Sequence, residues 1–125
     1  MDNYNFEKFT NAGAKLGNYT ISVNNSYSFG ISSGFYAKEG IRNFKRAILF
    51  YDKKMKAVAF KFTNDEGIKG TFAVTHVKNS ASISARSFFI SNEILKKEYI
   101  GKKDPKKIDD DNHGKLYVID LLISK

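Results

Sequence analysis

The chain contains no cysteine and no tryptophan, and only one proline, Pro105, in 125 residues. Without cysteine, disulfide bonds and zinc–thiolate sites are excluded. The same absence suits a reducing compartment, and a cytoplasmic location is the expectation. No apolar run approaches the roughly 20 residues that a membrane-spanning helix needs, so no membrane partner is expected. The opening stretch MDNYNFEKFTNAGAKL has neither a basic n-region nor an apolar h-region, and no signal peptide is expected.

Catalytic groupings are as scarce. The two histidines, His76 and His113, are far apart, and His76 sits in a strand-like run where a hydrogen-bonded structural role is expected. The run Asp109-Asp110-Asp111-Asn112-His113 lacks the spacing and closing Glu of a calcium loop. It reads as an acidic solvated loop that pairs locally with Lys102, Lys103, Lys106 and Lys107. No serine stands in a nucleophile-elbow context, and no glycine motif cradles a phosphate. The expectation is a protein that is not an enzyme and holds no cofactor and no metal.

What the chain has is positive charge, +8 overall, and aromatic residues, eleven Phe and seven Tyr. A basic surface attracts phosphate backbones. Lysine makes up 18 of the 21 basic residues, a composition that an AT-rich coding sequence also produces.

Two stretches echo each other. Val23–Ile41 and Val77–Leu95, 54 positions apart, share seven of 19 residues: Val23/Val77, Asn25/Asn79, Ser26/Ser80, Ser28/Ser82, Ser33/Ser87, Phe35/Phe89 and Glu39/Glu93. Such spacing signals one supersecondary unit used twice. Alternating apolar residues in YTISV and YSFGI, joined at NNS, predict a hairpin, and TFAVTHV-KN-SASISA predicts its counterpart. SSGFYAKEG and RSFFISNEIL read as short helices, with Ser32 or Ser33 available as N-cap of the first and Ser87 of the second, Ser33 and Ser87 expected to play equivalent roles, and Phe35 and Phe89 as core residues. A second hairpin follows each helix: KRAILFYD and KAVAFKFT in the first copy, EYIG and KLYVIDLLI, across a long polar loop, in the second.

The expected fold is therefore α+β. Two pseudo-symmetric ββαββ repeats, residues 18–64 and 70–123, would form a mainly antiparallel sheet or barrel-like core with two short helices. Residues 1–125 would make one domain, with residues 1–17 an N-terminal helix, at Tyr4–Leu16, or an arm.

The strand faces turned away from the core would carry Thr20, Ser22, Ser26, Ser28, Gly30, Ser80, Ser82 and Ser84, with Ala57, Ala59 and Lys61. Basic residues crowd the strand ends. The candidate nucleic-acid contacts are Arg42, Lys45, Arg46, Lys54, Lys56, Lys61, Lys78 and Arg86, with Tyr27, Phe50 and Tyr51 as stacking platforms if they lie outward. A plain solvated sheet face is the competing reading.

The four strands from KRAILFYDKKMKAVAFKF to NSASISARSFFISNEI, leading into a helix, resemble the Whirly and transcriptional-coactivator class of single-stranded-DNA-binding proteins. The resemblance covers about Lys45–Leu95 and implies DNA contact through outward residues such as Lys56 and Lys61. The strand, short helix and hairpin order also resembles AbrB- and MraZ-like swapped-hairpin regulators. This chain lacks their usual proline at Ser32–Ser33, and the D-x-x-x-R signature of the MraZ kind. The functional expectation is a small non-catalytic binder of single-stranded DNA or RNA, or a transcriptional regulator. A protein-interaction module docking on an acidic partner is the alternative, and a homo-oligomer is compatible with both.

Overall fold

The computed structural model describes residues 18–124. The helix expected at Tyr4–Leu16 lies outside the described residues. In chain order the elements are β1 (Ile21–Asn24), β2 (Ser28–Ile31), α1 (Ser33–Lys38), a 3-10 turn (Ile41–Asn43), β3 (Arg46–Asp52) and β4 (Ala57–Thr63). There follow β5 (Phe72–Val77), β6 (Ser80–Ser84), α2 (Arg86–Ser91), a second 3-10 turn (Lys97–Tyr99), β7 (Gly101–Lys103), β8 (Lys106–Asp110) and β9 (Gly114–Asp120).

All nine strands join one antiparallel sheet in the order β7-β1-β2-β6-β5-β3-β4-β9-β8. The join between its two parts is narrow: β5 and β3 pair only through Arg46↔Ala73 and Ala47↔Phe72. The sheet curls into a half-barrel there, and Phe29 of β2 meets Phe60 of β4 across the curl, ring centres 4.9 Å apart. Inward residues alternate as a pleated strand requires: Val58, Phe60 and Phe62 are buried on β4, and Phe29 and Ile31 on β2. The helices bring Phe35 and Phe89 into the same core, both fully buried. Burying each such ring contributes about 1.5–3 kcal/mol relative to leaving it exposed.

The α+β expectation of two ββαββ repeats is overturned. The fold is mostly sheet, 45% strand against 17% helix, and it is not two clear copies of one unit. The failure lies in the second half. The stretch read as a polar loop, residues 102–113, holds most of β7 and all of β8, and the sheet sends them to opposite edges. β7 pairs with β1, and β8 pairs with β9. Charged residues suit edge strands, which need one neighbour only. With Ile108 its one large apolar side chain, the stretch carries no alternating pattern for a sequence reading to find. Lys107 reaches Glu39 and Lys103 is buried, so the local pairing expected within that loop is corrected for both.

Candidate functional site

Five strands present one row of side chains on the outer face. The registers Ser22↔Lys102, Ser22↔Gly30, Gly30↔Ser82 and Thr75↔Ser82 place Lys102, Ser22, Gly30, Ser82 and Thr75 side by side. Gly30 keeps the floor low, since a Cβ there would come within 3.3 Å of the Asn24 amide. Beside this row, α1 leaves β2 with its exposed face turned outward. Between them runs an open groove of about 1300 Å³.

The groove collects cations from four separate segments: Lys38 ending α1, Arg42 of the first 3-10 turn, Lys78 of the β5–β6 turn and Lys102 of β7. Hydroxyl and amide groups from Asn18, Thr20, Ser22, Ser32, Ser33, Asn79 and Ser80 line it too, beside the apolar Ile31, Ala37, Val77 and Ala81. None of the described lining residues is an aspartate or glutamate.

Arg42 is held in place. Its Nη2 donates to Asn79 Oδ1 at 3.2 Å, and its guanidinium lies 5.7 Å from the centre of the Tyr36 ring. Tyr36 is fixed in turn by His76. The carbonyl of Phe44 can only accept, so His76 Nε2 donates to it at 2.8 Å, leaving Nδ1 to accept from the Tyr36 hydroxyl at 2.9 Å. Lys78 adopts φ 52° in a two-residue turn. Ser32, not Ser33, caps α1: its Oγ accepts from Phe35 N at 3.3 Å and from Thr20 N at 2.9 Å, and it also donates to the Asn18 carbonyl. Ser33 Oγ accepts from Asn18 Nδ2 at 3.2 Å. In α2 the capping position is Ala85, with no side-chain cap, so the expected equivalence of Ser33 and Ser87 fails.

A buried charge anchors the end of α1. The Glu39 side chain is only 3% exposed and receives Lys107 Nζ at 2.8 Å, Tyr19 Oη at 2.7 Å and Tyr117 Oη at 2.9 Å. Burial alone would raise its pKa, but the three hydrogen bonds together outweigh burial and hold it below the usual glutamate range. Burial, followed by the Glu39 carboxylate, pushes the Tyr19 and Tyr117 hydroxyls well above the ordinary tyrosine value. The network ties the groove's helix to β8 and β9.

Of the candidate contacts, the structure brings only Arg42 and Lys78 into the groove. Lys45 is exposed just before β3. Arg46 is tied to Thr71, donating to its hydroxyl and, at 3.1 Å, to its carbonyl. Lys54 and Lys56 stand at the β3–β4 turn, and Lys61 projects from the outer face of β4. Arg86 lies 4.7 Å from the Tyr27 ring centre. No stacking platform is a bare ring: Tyr27 packs edge-on against Phe89, Tyr51 packs against Phe88, and Phe50, on the outer face, lies 4.6 Å from the His113 ring centre. Thr20 is buried rather than outward.

Lys38 and Lys102 were not singled out from the sequence as contacts. Lys102 is brought beside Ser22 only by the β1–β7 pairing, which no local pattern announces. Lys38 could have been found as the last basic residue of an otherwise uncharged helix.

Among the described residues no group of three His, Cys, Asp or Glu side chains could hold a metal ion, and no helix is long and apolar enough to cross a membrane. No family model, curated protein or solved structure matches this chain, so the likeness to the Whirly and AbrB classes rests on sequence pattern alone.

Proposed function

We propose that the chain is a non-catalytic nucleic-acid-binding protein that grips the phosphate backbone in the groove beside α1. The observation that carries this reading is the gathering of Lys38, Arg42, Lys78 and Lys102 around hydroxyl and amide groups with no described carboxylate among them. Cations converge on a polyanion, and serine hydroxyls, asparagine amides and backbone N–H groups supply the further hydrogen bonds that phosphates accept. Tyr36 is buried and Tyr19 half-buried in the groove wall, which favours backbone contact over base stacking.

Titration of labelled single- and double-stranded oligonucleotides at two salt concentrations tests the reading. With four phosphates neutralised, affinity for a single strand falls by about three log units per log unit of salt. Lys38→Ala and Lys102→Ala should each lower that slope by roughly one phosphate's share, about 0.7, while Lys53→Ala in the β3–β4 turn should not. Absence of binding to either oligonucleotide at low salt overturns the proposal. Capture of an acidic protein from nuclease-treated lysate, competed away by no oligonucleotide, would favour the docking-module alternative.

A further inference from the structure

The two edges of the sheet are treated differently. At β7, Lys103 is fully buried, and its Nζ donates to Leu121 O and to Ser124 Oγ, both at 2.9 Å. Residues 121–124 thus cover the flank of that edge. At the other end β8 pairs with β9 alone among the described residues, and four of its five residues are exposed. An open edge is a template for another strand unless something blunts it.

The sequence of that edge is Lys106-Lys107-Ile108-Asp109-Asp110. It is complementary to itself when reversed. We propose that β8 pairs antiparallel with β8 of a second copy about a two-fold axis at Ile108. Lys106 then faces Asp110 of the second copy, Ile108 faces Ile108, and Lys107, 46% exposed while its ammonium stays on Glu39 at 2.8 Å, faces Asp109. Each charged contact occurs twice because the interface is isologous. Opposite charges directly across an antiparallel pair stabilise it, and like charges oppose it.

The apolar component agrees with the charge pattern. Ile108 is 42% exposed in the single chain. It shares the outer face with Leu116, its register partner on β9, and with Val118. Phe50 of β3 extends this apolar band, its ring 4.6 Å from His113. Pairing at β8 would join two such bands and bury the exposed isoleucines at their centre. No residue of β8 lines the groove, and β8 reaches it only through the Lys107–Glu39 contact at the end of α1.

The chain has no cysteine, so Ile108→Cys introduces a single thiol. Directly opposed residues of an antiparallel pair lie about 4.5–5.5 Å apart at Cα, within the range a disulfide spans. Mild oxidation of the full chain should give a covalent dimer with Ile108→Cys and none with Met55→Cys, an exposed control in the β3–β4 turn. The double variant K106E/D109K sets like charges across all four contacts. In sedimentation equilibrium it should weaken self-association at least about tenfold relative to the wild type. Both positions are exposed, but Asp109 faces Lys115 within the chain. The same variant with Lys115→Glu added, which restores that pair, should therefore show the same weakening. An unchanged circular-dichroism spectrum confirms that both variants fold. A wild-type chain that stays monomeric at its highest soluble concentration overturns the proposal. So does a dimer that is insensitive to K106E/D109K, or one that leaves Ile108→Cys uncrosslinked.

Discussion

The segments β1–β2–α1 and β5–β6–α2 share residues at seven matched positions, yet those residues meet different fates. Val23 is fully buried and Val77 is 58% exposed. Glu39 is buried in a network, whereas Glu93 is exposed with φ 53°. Three pairs end alike: Asn25 and Asn79 are both exposed in hairpin turns, Ser28 and Ser82 are both half-buried, and Phe35 and Phe89 both enter the core. The turns explain the valines. The first hairpin closes at Asn24↔Ser28 around a three-residue loop, and the second at Val77↔Ser80 around two residues. Phe29 therefore faces Val23, while the matched Ile83 faces Val74, not Val77. The matched valines stand three residues apart in register. An odd shift moves a side chain to the other face of the sheet. Identical residues thus do different work once a turn is shortened.

The largest effects should come where the two segments agree. Phe35→Ala and Phe89→Ala should each destabilise the fold by about 3–5 kcal/mol, read from denaturant midpoints at constant slope. Phe35 packs against Tyr19 and Tyr117, ring centres 4.9 Å away in each case, and Phe89 against Phe29 at 4.8 Å. If one variant kept the wild-type midpoint, the core position that the two segments share would be lost.

The next effect separates them. Glu39→Ala strips the acceptor from two tyrosine hydroxyls and from Lys107, and should cost about 2–3 kcal/mol. Glu93→Ala should stay within about 0.5 kcal/mol. Glu39 also carries a pH signature. Its folded pKa lies below the unfolded value of about 4.3, so its stabilisation is complete above that pH. It is lost as pH falls through the lower, folded pKa. Acid unfolding curves of wild type and Glu39→Gln should converge in that window, and parallel curves would remove the carboxylate from the account.

Much of this architecture could be read from the sequence where the signal was local. The hairpins β1–β2, β3–β4 and β5–β6 follow from alternating runs with short polar turns, and Phe35 and Phe89 follow from their place in short apolar helices. Two things escaped. β7 and β8 have one large apolar residue between them, Ile108, and so gave no alternation to count. The groove depends on pairings between distant segments, such as Ser22↔Lys102, so Arg42 and Lys78 were found as individual cations but not as neighbours of Lys38 and Lys102. The seven identities were also misleading, because matched letters do not carry register.

The smallest difference concerns how each helix begins. Gly34 and Phe88 hold matched positions, and Gly34 is required because a Cβ there would overlap the Asn18 carbonyl. Gly34→Ala should cost about 1–3 kcal/mol by displacing that strand of backbone. Ser32 sits beside it as the cap of α1. Its hydroxyl serves Phe35 N, Thr20 N and the Asn18 carbonyl together, linking the helix start to the chain entering β1. Ser32→Ala should cost about 1 kcal/mol, the usual loss for a removed cap. Ser87 is exposed inside the first turn of α2 and caps nothing, because Ala85 holds that place. Ser87→Ala should therefore be neutral within about 0.5 kcal/mol. The same substitution thus distinguishes a helix start held by side-chain hydrogen bonds from one held by packing of Phe88 and Phe89. Equal losses at Ser32 and Ser87 would mean that the two starts are built alike, against the geometry at Ala85.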